Sequence, residues 1–267
     1  MTVRRYDSAP MRRAPRLLFA FVAGLALLAT ACGGGSDSRP SLADEKTPLS
    51  VAAAPTGTTL PTHGSWIVQA TVPSVQVYDS PGATTPSRQF ENPWYVNDDS
   101  RYPINTVFYS DEQRNGWVKV LLPVRPNGST GWVKATEVRL VPSRFRIEVD
   151  LSDHELTVYD ADRVFLEDTV AVGASDTPTP IGKFYLRVLL KAPDPTTVYG
   201  PYAYGLSSHS ETLAEFNGGD AEVGIHGNND ASVLGKDVSH GCVRMSNEAI
   251  TRLAGILPLG TPVEVHA

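Results

Sequence analysis

Cysteine is nearly absent from this chain: two among 267 residues, Cys32 and Cys242. Two cysteines cannot build a disulfide framework, so the fold must rest on a core. Basic charge is also short. Lys and Arg number 23 against 29 Asp and Glu, a net charge of −6. A chain so balanced offers phosphates no basic face, which argues against nucleic acid as a partner. Long apolar runs are missing as well. The run over residues 17–28 falls short of the ~20 apolar residues a membrane-spanning helix needs. No internal repeat is evident.

The first residues read as an export signal. Arg4, Arg5, Arg12, Arg13 and Arg16 precede the apolar run, and Ala29-Thr30-Ala31 places small residues before a cut. Residues 1–31 are therefore expected to be a signal peptide. Cys32 stands where a bacterial lipobox has its lipidated cysteine, with Ala29 where leucine is usual; simple cleavage or an uncleaved anchor is the alternative. Residues 32–62, rich in Gly, Ser, Ala, Thr and Pro, read as a lipidated tether without a core of their own. The expected location is outside the cytoplasm, anchored to a membrane through Cys32 and facing the cell wall or periplasm. Removing residues 1–31 takes away five arginines and one aspartate, which moves the net charge from −6 to about −10. With Cys32 lipidated, Cys242 is left as an unpaired thiol in an exported protein.

Two β-rich regions follow. Over 63–142, Gly116-Trp117-Val118-Lys119 and Gly131-Trp132-Val133-Lys134 are similar strand runs separated by Pro126-Asn127-Gly128, a hairpin signal. Over 143–267, residues 145–150 and 155–159 alternate with period two, as half-buried antiparallel strands do. Strand character continues at 169–172 and 183–189. One helix is expected after residue 246, capped by Asn247, with Ile250, Leu253, Ile256 and Leu257 on its apolar face and Gly260 at its end.

Chemistry concentrates near the C-terminus. Ser239-His240-Gly241-Cys242-Val243-Arg244-Met245 puts the thiol beside a histidine and a glycine, and Ile225-His226-Gly227 lies upstream. A free thiol is only a few per cent thiolate at neutral pH, so a cysteine nucleophile needs a base. Imidazole suits that task because its ordinary pKa lies near working pH. An oxyanion also needs backbone amides, and glycine lets the chain approach a substrate closely. A lone cysteine is more often a small buried hydrophobe; the flanking His-Gly and Arg-Met are harder to explain as packing.

These segments resemble the YkuD-like L,D-transpeptidases, which cross-link bacterial peptidoglycan. The likeness covers residues 144–267 and includes Thr179-Pro180-Ile181-Gly182-Lys183-Phe184, Tyr199-Gly200-Pro201-Tyr202 and Gly260-Thr261-Pro262-Val263. It implies a mainly β chain: a β-sandwich-like catalytic domain with one short helix. The two Gly-Trp-Val runs resemble a small SH3-like β-barrel placed before it, a wall-targeting or spacer module. By the same likeness Cys242 is the nucleophile, His226 its base, and the Gly227 carbonyl the group that orients His226. Ser239, His240 and Gly241 shape the loop and oxyanion site, with the Gly241 and Cys242 amides as donors. Arg244, asparagine in some members, binds the substrate carboxylate or braces the loop. Tyr199 and Tyr202 line a substrate lid. The implied reaction forms 3→3 cross-links between stem peptides through a thioester, without a cofactor, and implies reaction with carbapenem inhibitors.

Three other readings use the same residues. Water as acceptor makes the protein an L,D-carboxypeptidase. His226, His240 and Cys242 as ligands make it a zinc-dependent peptidoglycan peptidase. A dead catalytic domain leaves a wall-binding lipoprotein. His240 divides evenly between structure and catalysis, and His209, in the polar stretch 207–210, is expected to be solvated.

Overall fold

A computed structural model describes residues 65–96, 102–216 and 219–267. The signal peptide, the lipidation at Cys32 and the tether lie outside the described residues. Within them the chain is mainly β, with a single α-helix.

The N-terminal strands form a five-stranded antiparallel sheet. Its order is Thr130–Lys134, Trp117–Leu121, Val107–Arg114, Trp66–Ala70, Val138–Pro142. The two Gly-Trp-Val runs pair directly, Trp117 opposite Lys134 and Lys119 opposite Trp132, as the Asn-Gly signal between them implies. Val68, Val75, Phe108, Val118, Val120 and Val133 are fully buried, the inward half of each alternating strand. Trp132 is buried too, with Arg114 over its ring. Its role here is packing.

The second sheet has eight strands. Its order is Arg163–Thr169, Glu155–Asp160, Phe145–Asp150, Pro262–His266, Gly182–Lys191, Tyr202–His209, Glu222–His226, Val243–Arg244. Most neighbours are antiparallel, but Phe145–Asp150 runs parallel to Pro262–His266, and Glu222–His226 parallel to Val243–Arg244. Leu166, Ile225 and Val243, from opposite ends of the order, share one core cluster. The sheet therefore curls over a single interior. Phe145–Asp150 has the period-two pattern expected of it. Four strands escaped that pattern: Arg163–Thr169, Tyr202–His209, Glu222–His226 and the two-residue Val243–Arg244. Residues 169–172 are not one strand but the join between Arg163–Thr169 and the short Val172–Gly173.

The helix Asn247–Ala254 closes the interior. Its cap is Ser246, not Asn247: the Ser246 side chain accepts from the Ala249 amide. It ends at Gly255, five residues before the expected Gly260. Ala249, Ile250 and Leu253 face the core, whereas Ile256 is 41% exposed because it lies past the helix end. Burying a side chain such as Ile250 or Leu253 contributes roughly 1.5–3 kcal/mol. Tyr204 reaches across from its strand and donates its hydroxyl proton to the Leu253 and Leu257 carbonyls, at 3.0 and 3.2 Å. The helix is thereby fixed against the sheet that carries His226.

The two sheets meet closely. Tyr185, from the second sheet, is fully buried in the first core, and Leu259 packs against both cores.

Candidate active site

His226 ends the strand Glu222–His226, and its register partner on the parallel strand Val243–Arg244 is Arg244. The Met245 amide donates to the His226 carbonyl at 2.9 Å. That pairing brings the loop before Val243, which holds Cys242, alongside the histidine strand. The two motif segments, well separated in sequence, thus become neighbours through one parallel ladder.

His226 is 4% exposed. Its Nδ1 lies 2.6 Å from the Gly227 carbonyl oxygen. A carbonyl only accepts, so the proton sits on Nδ1 and Nε2 is left as the basic lone pair. Burial holds the His226 pKa down to about 4, with the Gly227 hydrogen bond opposing and the Arg244 charge reinforcing the shift. The Tyr199 ring covers the imidazole, centroids 5.0 Å apart. Tyr199 itself is 38% exposed, at the end of the connection between Gly182–Lys191 and Tyr202–His209. The Ala192 amide donates to the Pro201 carbonyl at 2.9 Å and closes the neck of that connection. Tyr202, half-buried, accepts from the Gly227 amide at 3.2 Å through its carbonyl.

Cys242 is the free cysteine among the described residues and is partly exposed. Burial of its surroundings raises its pKa above the ordinary thiol range, against a backbone hydrogen bond with Gly224 and the Arg244 charge. With imidazole pushed down and thiol pushed up, the resting pair is neutral at pH 7, not a thiolate–imidazolium ion pair.

Ser239 organises the thiol loop. Its hydroxyl donates to the Cys242 carbonyl at 2.5 Å and accepts from the Gly241 amide at 3.1 Å. The Gly241 amide is thus engaged within the loop, not free for an oxyanion as the resemblance implies. Gly241 turns the chain at φ +110°, a conformation glycine adopts without strain. Thr177 donates its hydroxyl proton to the Ser239 carbonyl at 3.0 Å, and the Thr179 hydroxyl accepts from the Gly173 amide at 2.9 Å. Thr177, just before the Thr-Pro-x-Gly segment, thus braces the loop, while Thr179 within the segment holds the Gly173 backbone. His240 is exposed, and its ring packs 5.3 Å from Phe216. Arg244 hydrogen-bonds Ala171 through its backbone in both directions at 2.8 Å, while its Nε is buried without a partner.

The structure adds Asn228 to the site and gives Asn247 a different task from the capping expected of it. Asn228 sends its side-chain amide to the Met245 carbonyl at 2.7 Å, and its own backbone amide donates to Asn247 Oδ1 at 2.9 Å. Asn247, misread as a helix cap, instead ties the helix start to the His226-Gly227 segment. Space there is minimal. A Cβ on Gly227 would lie 2.2 Å from Asn247 Oδ1 and one on Gly200 2.3 Å from it. The only available signal was that Asn228 directly follows Ile-His-Gly.

His209 corrects another expectation. It is 2% exposed, at the end of the strand Tyr202–His209, with Nε2 3.2 Å from Asp220 Oδ2. A polar run looked like solvent-facing loop, but the strand continues through it into the junction between the sheets. The ligand trio for zinc does not assemble: among the described residues no three His, Cys, Asp or Glu side chains gather where they could hold a metal ion.

Residues 144–265 match the YkuD family, described as the L,D-transpeptidase catalytic domain. The protein named L,D-transpeptidase YkuD in Bacillus licheniformis is 33% identical over 154 residues, 55% of this chain and 85% of that protein. The chain belongs to the YkuD family of L,D-transpeptidases. YkuD of Bacillus subtilis strain 168 is 34% identical over 122 residues, 46% of this chain and 66% of that protein. Among solved structures, L,D-transpeptidase 3 of Mycobacterium tuberculosis with a faropenem-derived adduct is 18% identical over 54% of this chain and 76% of that one, with a TM-score of 0.37. The assignment rests on the Bacillus proteins, and the YkuD segment of this chain contains His226, Ser239, Cys242 and Arg244.

Proposed function

We propose that this YkuD-family protein is a cysteine-dependent L,D-transpeptidase of peptidoglycan stem peptides, acting through a thioester on Cys242. The observation that carries the reading is the 2.6 Å contact of His226 Nδ1 with the Gly227 carbonyl. It leaves Nε2 as the base on the strand beside the thiol loop.

In the first step the Cys242 sulfur attacks the carbonyl of the third stem residue while its proton passes to His226 Nε2. The Cys242 amide, the donor not engaged by Ser239, stabilises the oxyanion. The intermediate collapses, the C–N bond breaks, and the terminal D-alanine leaves as an amine carrying the proton from His226. In the second step the side-chain amine of another stem attacks the thioester, gives a proton to His226 and forms a 3→3 cross-link. The thiol leaves and recovers that proton. The unpartnered Nε of Arg244 and its charge suit a substrate carboxylate. Tyr199 over His226 keeps water from the base. A carbapenem would acylate the same sulfur: Cys242 attacks the lactam carbonyl, the lactam C–N bond breaks, and the ring nitrogen takes the proton from His226.

Water in place of the amine gives an L,D-carboxypeptidase with the same residues. Export and anchoring through Cys32 would put the site where stem peptides are, and an SH3-like N-terminal barrel would hold it near the wall. The test is mass spectrometry after incubation with a disaccharide-tetrapeptide. A dimer lacking one D-alanine supports the transpeptidase, a tripeptide monomer alone supports the carboxypeptidase, and inertness toward both peptide and carbapenem refutes the reading.

A further inference from the structure

The turn between Trp117–Leu121 and Thr130–Lys134 reaches out of the N-terminal sheet and grips the second one. Arg125 donates to the Ser210 carbonyl, and its Nη2 donates to the Leu213 and Asp220 carbonyls, each at 3.0 Å. Its Nε lies 3.4 Å from Asp220 Oδ1. Asn127 exchanges two hydrogen bonds with the His209 backbone: its side-chain amide donates at 2.8 Å and its oxygen accepts at 2.9 Å. That is the pattern by which one strand pairs with another, made here by a side chain. The Ser210 amide donates to the Ala221 carbonyl at 2.9 Å and draws the two ends of the excursion together. Alongside, Arg187 pairs with Glu222, the first residue of the His226 strand, and lies 4.1 Å from the Trp94 ring.

The gripped excursion carries Phe216. The Phe216 and Gly219 backbones exchange hydrogen bonds at 3.0 Å in both directions, and the Phe216 ring packs against His240 at 5.3 Å. His240 stands two residues from Cys242. A continuous series of contacts thus runs from the N-terminal turn, through the ends of the excursion and Phe216, to the thiol loop. At the start of the excursion the Ser210 hydroxyl also accepts from the Thr212 and Leu213 amides at 3.3 and 3.0 Å; beyond that Phe216 is 36% exposed, and the residues at 211 and 215 face solvent.

We propose that Arg125 and Asn127 are positioning residues for the reaction at Cys242. By fixing the ends of the excursion they hold Phe216 on His240, and His240 holds the loop that presents the thiol. The N-terminal sheet is then a working part of the active site as well as the segment that precedes it. The proposal rests on the reading of Cys242 as nucleophile.

The test uses the full chain with Arg125→Ala, Asn127→Ala, Phe216→Ala and the double variant Arg125→Ala/Phe216→Ala. Two readouts are taken: the second-order rate of carbapenem acylation by intact mass, and the NMR signals of the His240 ring, which sense the Phe216 ring current. Small misplacements near a reacting group slow it steeply, so each single variant should lose roughly tenfold in rate. The double variant should be no slower than Phe216→Ala, since both act through one contact. In Arg125→Ala and Asn127→Ala the His240 signals should move toward their positions in Phe216→Ala. Leu253→Ala, destabilised in the core, should leave those signals in place, which separates positioning from loss of stability. A wild-type rate in Arg125→Ala, multiplying losses in the double variant, or unmoved His240 signals overturns the proposal. A wild-type protein inert to carbapenem would refute the nucleophile reading instead, and the NMR comparison would still decide whether the turn positions His240.

Discussion

A buried neutral His226 makes stability depend on pH in a defined window. The imidazole would titrate near 6.5 in the unfolded chain, and burial holds it to about 4 in the folded one. Between those values the unfolded state binds more protons, so stability rises with pH there. The contribution is complete above about 6.5 and is lost as pH falls toward 4. The displacement of about 2.5 units corresponds to roughly 3 kcal/mol, a large share of a typical domain stability of about 5–15 kcal/mol. The perturbation is His226→Gln, which keeps an amide donor for the Gly227 carbonyl and cannot be protonated. Urea unfolding at pH 7 and at pH 4 measures the effect. Other groups contribute to both proteins alike, so the difference isolates His226: the wild type should lose about 3 kcal/mol more than the variant. An NMR titration of the imidazole should show no inflection between pH 6 and 7. An inflection near 6.5, or equal losses in the two proteins, would refute the buried neutral base and favour a preformed ion pair.

Other outcomes follow from the same geometry. Burial and the neighbouring groups leave the Cys242 thiol above its ordinary range, so alkylation by iodoacetamide should be slow at pH 8 and still be accelerating at pH 9. Cys242→Ser should lose carbapenem adduct formation by mass spectrometry while keeping the wild-type melting temperature. Gly227→Ala should lower the acylation rate by roughly 100-fold, because its methyl group displaces Asn247 and with it the carbonyl that orients His226. Tyr204→Phe removes the hydroxyl that donates to the Leu253 and Leu257 carbonyls; the Leu253 carbonyl keeps the Ile256 and Leu257 amides, so the loss should be about 1 kcal/mol in urea unfolding.

Much of this protein was legible because its signals are local. The strand Phe145–Asp150 alternates cleanly, since one face meets the core and the other meets solvent. The Trp117–Leu121 and Thr130–Lys134 pair is announced by its own turn. Tyr202–His209 is nearly all buried toward its C-terminal end, carrying serine and histidine inside, so periodicity misses it. Some of those polar groups find partners distant in sequence: Ser207 accepts from the Tyr185 amide, and the His209 backbone pairs with Asn127, whereas Ser208 Oγ and His209 Nδ1 are buried without a partner. The helix boundaries were displaced for the same reason. Asn247 is a fair cap by residue type, but its oxygen is taken by Asn228.

The sequence by itself determined the presence and order of the thiol, imidazole and glycine residues of the two motif segments and the two β-rich regions, because such signals lie residue by residue along the chain. Only the tertiary structure decided how they work together. The parallel pairing of His226 with Arg244 places the His226 strand beside the thiol loop. Burial then sets both groups neutral, Ser239 takes the Gly241 amide into the loop, and Arg125 and Asn127 bind the N-terminal turn to the excursion that carries Phe216. Burial and register are properties of contacts between distant segments, and no window of neighbouring residues contains them.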